Sequence, residues 1–278
     1  MPEISVKSHP IDAAFRADRL PHMWCPGCGI GPAVHAYAQA ILESDIPKDL
    51  HACVSGIGCT ARVPGYMDLD SYHTTHGRGI PFATAISLVK PEMEVTVFSG
   101  DGDLFGIGGN HIIHAARRNV NINVICINNF NYGMTGGQVG PTTPLGARAS
   151  TAPYGNTEQP FNLPYLVAAT GAVFVARWTA LHVRQLKQAI IRAQQKKGFT
   201  FIEVLSPCPV GFGHPNDIGE GMEEVWLYRE RCIVDHNANL SELEIDLRRK
   251  DAPFVMGNFV DIERTPFDPL AAIKKARE

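Results

Sequence analysis

Two short apolar segments joined by a helix-length stretch constrain the fold of this chain more than any other feature. Residues Glu94–Ser99 are apolar and β-branched, and they end in a glycine–aspartate–glycine sequence at 100–102, typical of a buried strand that enters a functional loop. A helix is predicted near Gly109–Arg117, and Ile122–Ile127 follows as a second buried strand that ends in the polar loop Asn128–Gly137. This order of elements predicts a βαβ unit with two parallel strands.

The same alternation of helices and strands continues on both sides of this unit. The further predicted helices are Ile30–Glu43, Leu163–Thr170 and Ala180–Lys197, and the further predicted strands are Ala52–Ser55, Ala172–Ala176 and Thr200–Leu205. The expected fold class is α/β, a mostly parallel sheet with helices on both faces. Such sheets bind ligands beyond the carboxyl ends of their strands.

The chain of 278 residues is long enough for one large domain with an extension. Residues 136–164 are rich in Gly, Pro, Thr and Asn, and they are expected to form a long loop that covers a functional site. From about Gly219 the periodic pattern weakens, with charged residues over Asp246–Asp251 and several prolines after it. We therefore expect a main domain over residues 1–218 and a C-terminal extension over residues 219–278 that packs on a partner.

Charge and composition exclude several classes of protein. The formal net charge is -3 without dense Lys or Arg runs, which argues against a nucleic-acid partner. No stretch approaches the roughly 20 apolar residues that cross a bilayer, and the first residues lack a signal-peptide pattern, so we expect no membrane association and a cytoplasmic location. Seven cysteines are an odd number that favours metal-binding thiolates over a disulfide framework.

Oxygen ligands follow both strands of the central βαβ unit. Asp101 lies between two glycines at the end of the first strand, and Asn129 follows the second strand 28 residues later. Their side chains could bind Mg²⁺ together with phosphate oxygens, and a helix N-terminus nearby would favour the same anion. The alternative is that both sequences are simple turns. Their order around one βαβ unit favours the metal–phosphate interpretation.

Four cysteines lie in loops that are predicted at the carboxyl side of the sheet. Cys25 and Cys28 form a C-x-x-C pair in a tight loop, Cys59 follows a short strand, and Cys208 follows the last predicted strand. Four thiolates there could hold a 4Fe-4S cluster or a structural zinc ion. The other cysteines, at 53, 126 and 232, lie in apolar segments and are interpreted as packing residues.

These motifs resemble those of a known family. The glycine–aspartate–glycine sequence followed by Asn129 is similar to the thiamine-diphosphate motif, and residues 128–138 resemble the version in the β subunits of 2-oxoacid:ferredoxin oxidoreductases. The similarity extends from Trp24 to about Gly213. It implies a diphosphate-binding type of thiamine domain, and it favours iron–sulfur over zinc, since β subunits of this family place their cluster ligands at the four cysteine positions.

The resemblance also implies roles for individual residues. Asp101 and Asn129 would bind Mg²⁺ by their side chains and Asn131 by its carbonyl oxygen. The residues expected to contact thiamine diphosphate are Ile57, Gly58, Cys59, Thr60, His76, Gly100, Asp101, Gly102, Asp103, Asn129, Asn131, Gly133, Met134 and Thr135. His76 would donate to the diphosphate, and the alternative is a loop histidine with its hydrogen bonds satisfied locally.

The implied activity is the coenzyme A-dependent oxidative decarboxylation of a 2-oxoacid, with electrons passed through the cluster to ferredoxin. The pyrimidine-binding domain would belong to a partner α subunit, giving at least a heterodimer, and the chain alone would be inactive. Two alternatives stay open: a non-redox thiamine-dependent decarboxylase or synthase, which needs no set of four cysteines, and a non-catalytic metal-binding scaffold.

Arg62 is the candidate for substrate recognition. It lies three residues after Cys59, and the family's β subunits often carry a basic residue at this position facing the substrate. A guanidinium can form a bidentate contact with a carboxylate, which favours 2-oxoglutarate over pyruvate as the substrate. The alternative is a surface arginine in an ion pair.

Overall fold

The computed structural model describes residues 9–249, 251–271 and 276, and a mixed sheet dominates it. The strands of this sheet are β1 (His51–Ser55), β2 (Asp70–His73), β3 (Glu94–Gly100), β4 (Ile122–Asn128), β7 (Phe174–Thr179), β8 (Phe199–Leu205), β9 (Cys232–Val234) and β10 (Phe254–Asp261). Their order is β2-β1-β3-β4-β8-β7-β10-β9. The first six are parallel, β10 is antiparallel to β7, and β9 pairs with β10 in parallel. A separate hairpin joins β5 (Asn131–Tyr132) to β6 (Gln138–Val139).

Helices cover both faces of the sheet. They are α1 (Ile30–Glu43), α2 (Val63–Tyr66), α3 (Gly79–Val89), α4 (Gly109–Arg118), α5 (Leu163–Ala169), α6 (Val183–Gln194) and α7 (Gly221–Arg231). Buried side chains of α1, α6 and α7 form one hydrophobic core, and those of α3, α4 and α5 form a second core on the opposite face. The predicted fold class, a mostly parallel α/β sheet with helices on both faces, is therefore confirmed.

Short helical turns supply several of the loops. Turns of 3₁₀ helix lie at Pro10–Ala14, Ala17–Arg19, Lys48–Leu50, Thr60–Arg62, His214–Asn216 and Leu240–Glu242, and π-helical turns lie at Gly102–Ile107 and Pro209–Gly213. Helical backbone therefore begins immediately after Asp101, earlier than the helix predicted near Gly109.

The predicted and observed elements differ most where the sequence is not periodic. The strand predicted at Ala172–Ala176 is Phe174–Thr179, because it pairs with β8 as far as Thr179. The helix predicted at Ala180–Lys197 is shorter, Val183–Gln194, since a turn follows β7. Helix α3 was not predicted, because it is apolar on nearly every side.

The C-terminal segment also contributes regular structure. Strand β10 joins the sheet beside β7, and α7 packs on the turn Pro209–Gly213. Lys250, within the charged run that begins at Asp246, lies outside the described residues. The division at residue 218 and the packing of residues 219–278 on a partner stay predictions. Within the described ranges, no helix combines the length and the apolar character needed to cross a membrane. The cytoplasmic location stays a prediction.

Candidate functional site

The loops that follow β1, β2, β3 and β4 line a cleft at the carboxyl edge of the sheet. Its lining is Ile57, Gly58, Cys59, Thr60, His76, Gly100, Asp101, Gly102, Asp103, Asn129, Asn131, Tyr132, Gly133, Met134 and Thr135. The structure thus brings together every residue that the resemblance assigned to thiamine diphosphate and adds Tyr132. Four segments distant in sequence, which follow β1, β2, β3 and β4, meet here because parallel strands place their carboxyl ends at one edge.

Asp101 and Asn129 face each other across this cleft. The Asn129 amide lies 3.2 Å from Asp101 Oδ1 and 2.9 Å from the Asn131 carbonyl oxygen. With its nitrogen toward these two oxygens, the amide donates to both. With its oxygen toward them, three oxygen atoms converge, as around a hard cation. Rotation of the Asn129 amide therefore converts a hydrogen-bonded arrangement into a set of three possible metal ligands.

The Asp101 carboxyl is buried and has one close hydroxyl partner. Thr142 Oγ1 donates to Asp101 Oδ2. Burial raises the pKa of Asp101 to about 7, and the hydrogen bond from Thr142 opposes this rise. A nearby divalent cation would favour the ionised form, because its positive charge offsets the loss of solvation that burial causes.

Asn131 brings an unsatisfied oxygen to the site. Its Nδ2 donates to the Asn129 carbonyl oxygen at 2.7 Å. Its Oδ1 is buried and has no hydrogen-bond partner among the described residues. Buried acceptors are nearly always satisfied, and the Cys208 thiol, which interacts with the Asn131 side chain, or a ligand in the cleft would satisfy this one.

Asp103 lines the cleft, but other groups occupy its carboxylate. Oδ1 accepts hydrogen bonds from the backbone N–H of Ile57 at 3.0 Å and of Gly77 at 2.8 Å, and Oδ2 accepts from Ser99 Oγ at 2.7 Å. A side chain on Gly56 would collide with this carboxylate. Asp103 therefore ties the loops after β1 and β2 to β3, a positioning function that the sequence did not predict.

His76 is held by the same carboxylate. Its Nδ1 lies 2.6 Å from Asp103 Oδ1, and its ring meets Tyr132 edge-on with centroids 6.2 Å apart. The contact with Asp103 supports the alternative that His76 is a loop histidine whose hydrogen bonds are satisfied locally. Because Nδ1 is engaged, Nε2 is the ring nitrogen that remains for a ligand in the cleft.

The four predicted cysteine ligands lie close to one another, next to the cleft. Burial raises the pKa of Cys28 to about 12, and the nearby thiols of Cys208, Cys59 and Cys25 add to the rise. The backbone N–H of Gly29 donates to the Pro207 carbonyl oxygen at 3.0 Å, which ties two of the cysteine loops together. Cys59 also lines the cleft, so one residue belongs to both regions.

In the described part of the chain, no group of three or more His, Cys, Asp or Glu side chains is placed to hold one ion. The remaining cysteines lie elsewhere: Cys53 and Cys126 are fully buried, and Cys232 is half-buried.

Glu224 of α7 is an unexpected neighbour of the cysteines. It is buried, its Oε2 has no hydrogen-bond partner among the described residues, and its carboxyl interacts with the backbone N–H of Cys208. Burial raises the pKa of Glu224 to about 7. The weak periodicity after Gly219 gave no signal for this contact, and Thr142 was missed because it lies in an irregular loop.

Arg62 lies outside the cleft lining. It ends the 3₁₀ turn Thr60–Arg62 and is exposed, whereas Thr60 at the start of the same turn lines the cleft. The positive charge of Arg62 opposes the rise in the pKa of Cys59 that burial and the Cys25 thiol cause. The predicted contact with a substrate carboxylate stays a prediction.

Comparisons with known proteins agree with this architecture. Residues 56–204 match the family described as thiamine pyrophosphate enzyme, C-terminal TPP binding domain. A solved 2-oxoglutarate:ferredoxin oxidoreductase from Magnetococcus marinus, with 2-oxoglutarate, coenzyme A and succinyl-CoA bound, superimposes with a TM-score of 0.83 at 29% identity. The match covers 99% of this chain and 92% of that chain.

Curated relatives are similar over most of their length. The 2-oxoglutarate synthase subunit KorB of Methanocaldococcus jannaschii is 48% identical over 93% of this chain and 94% of its own. Subunit beta of 2-oxoacid:ferredoxin oxidoreductase 2 from Aeropyrum pernix is 40% identical over 67% of this chain and 60% of its own. The resemblance seen in the motifs is confirmed, and the chain belongs to the family of 2-oxoacid:ferredoxin oxidoreductase β subunits, which includes the KorB subunits of 2-oxoglutarate synthases.

Proposed function

We propose that this β subunit serves the coenzyme A-dependent oxidation of 2-oxoglutarate and passes the electrons to ferredoxin. Relatives named 2-oxoglutarate synthase at 45–48% identity support this substrate over other 2-oxoacids. The solved Magnetococcus marinus enzyme holds the same acid together with coenzyme A. Pyruvate or another 2-oxoacid is the alternative substrate.

The cleft fits thiamine diphosphate with Mg²⁺. Asp101, the Asn129 amide and the Asn131 carbonyl would bind the cation, since they supply three oxygens at neighbouring strand ends. The early helical turn after Asp101 offers backbone amides to the diphosphate. When bound, thiamine diphosphate supplies the electron sink that decarboxylation of a 2-oxoacid requires.

We assign a 4Fe-4S cluster rather than a zinc ion to the four cysteines, because β subunits of this family place their cluster ligands at these positions. Both groups take four thiolates, so the choice depends on the family. Cys25, Cys28, Cys59 and Cys208 would be the ligands.

The observation that carries the proposal is the contact between the cluster region and the cleft. Cys59 lines the cleft, and a Cβ atom built on Gly133 would lie 3.5 Å from Cys208 Sγ and 3.6 Å from Asn129 Nδ2. The candidate cluster ligands therefore adjoin the candidate Mg²⁺ ligands. A non-redox decarboxylase has no need of this proximity, and a metal-binding scaffold has no need of the cleft.

A partner subunit would complete the site. Activation of the aminopyrimidine of thiamine requires a carboxylate from a pyrimidine-binding domain, which we assign to an α subunit. This chain contributes the diphosphate side of the cofactor, so a heterodimer is the smallest active unit. Full turnover by the purified single chain would contradict this assignment.

Initial rates with a panel of 2-oxoacids test the proposal. The complex of this chain with its partner is assayed for ferredoxin reduction with and without coenzyme A, and its thiamine, iron and sulfide contents are measured. We expect bound thiamine diphosphate, four irons per chain by the stoichiometry of the cluster, and the highest kcat/KM with 2-oxoglutarate. Decarboxylation without ferredoxin reduction would favour the non-redox enzyme, and a complex without thiamine would favour the scaffold.

A further inference from the structure

Strand β4 carries a buried asparagine near each end, and each one bonds to a buried glutamate on a neighbouring strand. At the start, the Asn123 amide donates to Glu94 of β3. At the end, Asn128 Nδ2 donates to Glu203 Oε1 of β8 at 2.7 Å. The second pair adjoins the candidate Mg²⁺ site, because Asn129 follows Asn128 directly.

Arg177 of β7 holds the Glu203 carboxylate in the protein interior. Its Nε lies 2.5 Å from Glu203 Oε2, and the two side chains are only 2% and 1% exposed. Arg177 Nη1 also donates to the Leu243 carbonyl oxygen at 2.6 Å, so the C-terminal segment contributes to the pair. A buried ion pair requires such additional hydrogen bonds. Arg177 occupies one oxygen of Glu203 and leaves the other for Asn128.

The Asn128 side chain connects Glu203 to the loop after β4. Its Oδ1 accepts from the backbone N–H of Phe130 at 3.1 Å. Phe130 has a φ of 64°, in the left-handed region that a bulky residue rarely adopts, so the loop needs a restraint of this kind. The restrained residue lies between Asn129 and Asn131.

We propose that Glu203 and Arg177 are positioning residues for the Mg²⁺–diphosphate site and act on it through Asn128. The inference rests on the proposed function, since it requires the loop to bind the cation. Residues that orient metal ligands from outside the coordination shell typically change metal affinity by about 10–100-fold when they are replaced. Glu203 and Arg177 themselves need not contact the cofactor.

Titration of Mg²⁺ into the complex with its partner subunit tests the inference. The complex is stripped by a chelator and gel filtration, thiamine diphosphate is restored at saturation, and Mg²⁺ binding is followed by calorimetry beside the Tm. Glu203→Gln removes the charge but keeps the shape, and Asn128→Ala leaves the ion pair intact if the first variant folds poorly. We expect each to raise the Kd for Mg²⁺ by about 10–100-fold.

A double variant and a matched control decide between positioning and general destabilisation. If Glu203 acts through Asn128, the double variant loses no more affinity than the weaker-binding single variant. Asn123→Ala breaks the corresponding pair at the other end of β4, so it should lower the Tm and keep the wild-type Kd. Additive losses of Mg²⁺ affinity in the double variant, an equal loss in Asn123→Ala, or wild-type affinity in both single variants would overturn this inference and leave the proposed function standing. Failure of the wild-type complex to bind Mg²⁺ and thiamine diphosphate would overturn the proposed function with it.

Discussion

Gly221, the first residue of α7, lies so close to Gly27 that a Cβ atom built on Gly221 would be 2.6 Å from the Gly27 Cα. The contact seats the helix on the loop that carries Cys25 and Cys28. On the same helix, Glu224 interacts with the backbone N–H of Cys208. Helix α7 therefore packs on the loops that carry the candidate cluster ligands, although the sequence suggested only an extension.

Gly221→Ala should displace the Cys25–Cys28 loop, because the new methyl group meets backbone that has little freedom to move. We expect a lower iron content per chain and weaker visible absorbance of the purified complex. Gly109→Ala is the matched control, since Gly109 also begins a helix and a Cβ atom there meets nothing within 4 Å. A full complement of iron in Gly221→Ala would show that this contact does not support the cluster.

Cys208→Ser should remove the 4Fe-4S cluster or convert it to a form with fewer irons, because a thiolate ligand is lost. Cys53 is a suitable control, since it is a fully buried residue of β1 outside the predicted ligand set. Iron analysis and electron paramagnetic resonance of Cys208→Ser and Cys53→Ala give the comparison. Four irons and an unchanged spectrum in Cys208→Ser would remove this residue from the ligand set.

Glu94 makes stability depend on pH. Burial raises its pKa from 4.5 to about 7, and Lys197 and the hydrogen bond from Asn123 oppose this rise. The folded state therefore holds a proton more tightly than the unfolded state, and the stability that protonated Glu94 contributes is lost as pH rises from 4.5 to 7.

Glu94→Gln stays neutral and should abolish this loss. At about 1.4 kcal/mol per pH unit, the variant should gain up to about 3 kcal/mol in free energy of unfolding over wild type between pH 4.5 and pH 8. Urea unfolding at several pH values measures it, with the exposed Glu92→Gln as the control. A difference between variant and wild type that does not grow with pH would refute the assignment.

Arg62→Ala should distinguish substrates if the guanidinium meets the second carboxylate of 2-oxoglutarate. We expect kcat/KM for 2-oxoglutarate to fall on the order of a hundredfold, and that for pyruvate far less. Arg62→Lys should recover part of the loss, because the charge is kept without the bidentate geometry. Equal losses for both acids would show that Arg62 does not read the distal carboxylate, and no loss would leave it a surface residue.

The elements that position the cleft could be predicted because their signals are local. The apolar runs of β3 and β4 end in polar loops. The motifs in those loops, together with the residues that the resemblance implied after β1 and β2, named nearly the whole lining of the cleft. Helix α1 has the predicted bounds, since its apolar residues recur at helical spacing on one face.

The supporting contacts could not be predicted, because they join residues far apart in the chain. Asp103 was expected to meet a diphosphate; it lines the cleft, and its carboxylate also binds backbone amides 46 and 26 residues away, which was not predicted. Glu203 lay within a predicted strand and Arg177 just after another, and only the pairing of β7 with β8 places them side by side. Such contacts depend on strand order, which local periodicity does not encode.

Reduction of the cluster by substrate is the most direct test of the account. The complex of this chain with its partner is mixed anaerobically with 2-oxoglutarate and coenzyme A, and the cluster is followed by electron paramagnetic resonance. We expect a reduced-cluster signal from the wild type and none from Asp101→Asn, whose irons are retained but whose Mg²⁺ ligand is weakened. A wild-type cluster that 2-oxoglutarate leaves oxidised, or an Asp101→Asn cluster that is reduced as readily as the wild type, would contradict the account.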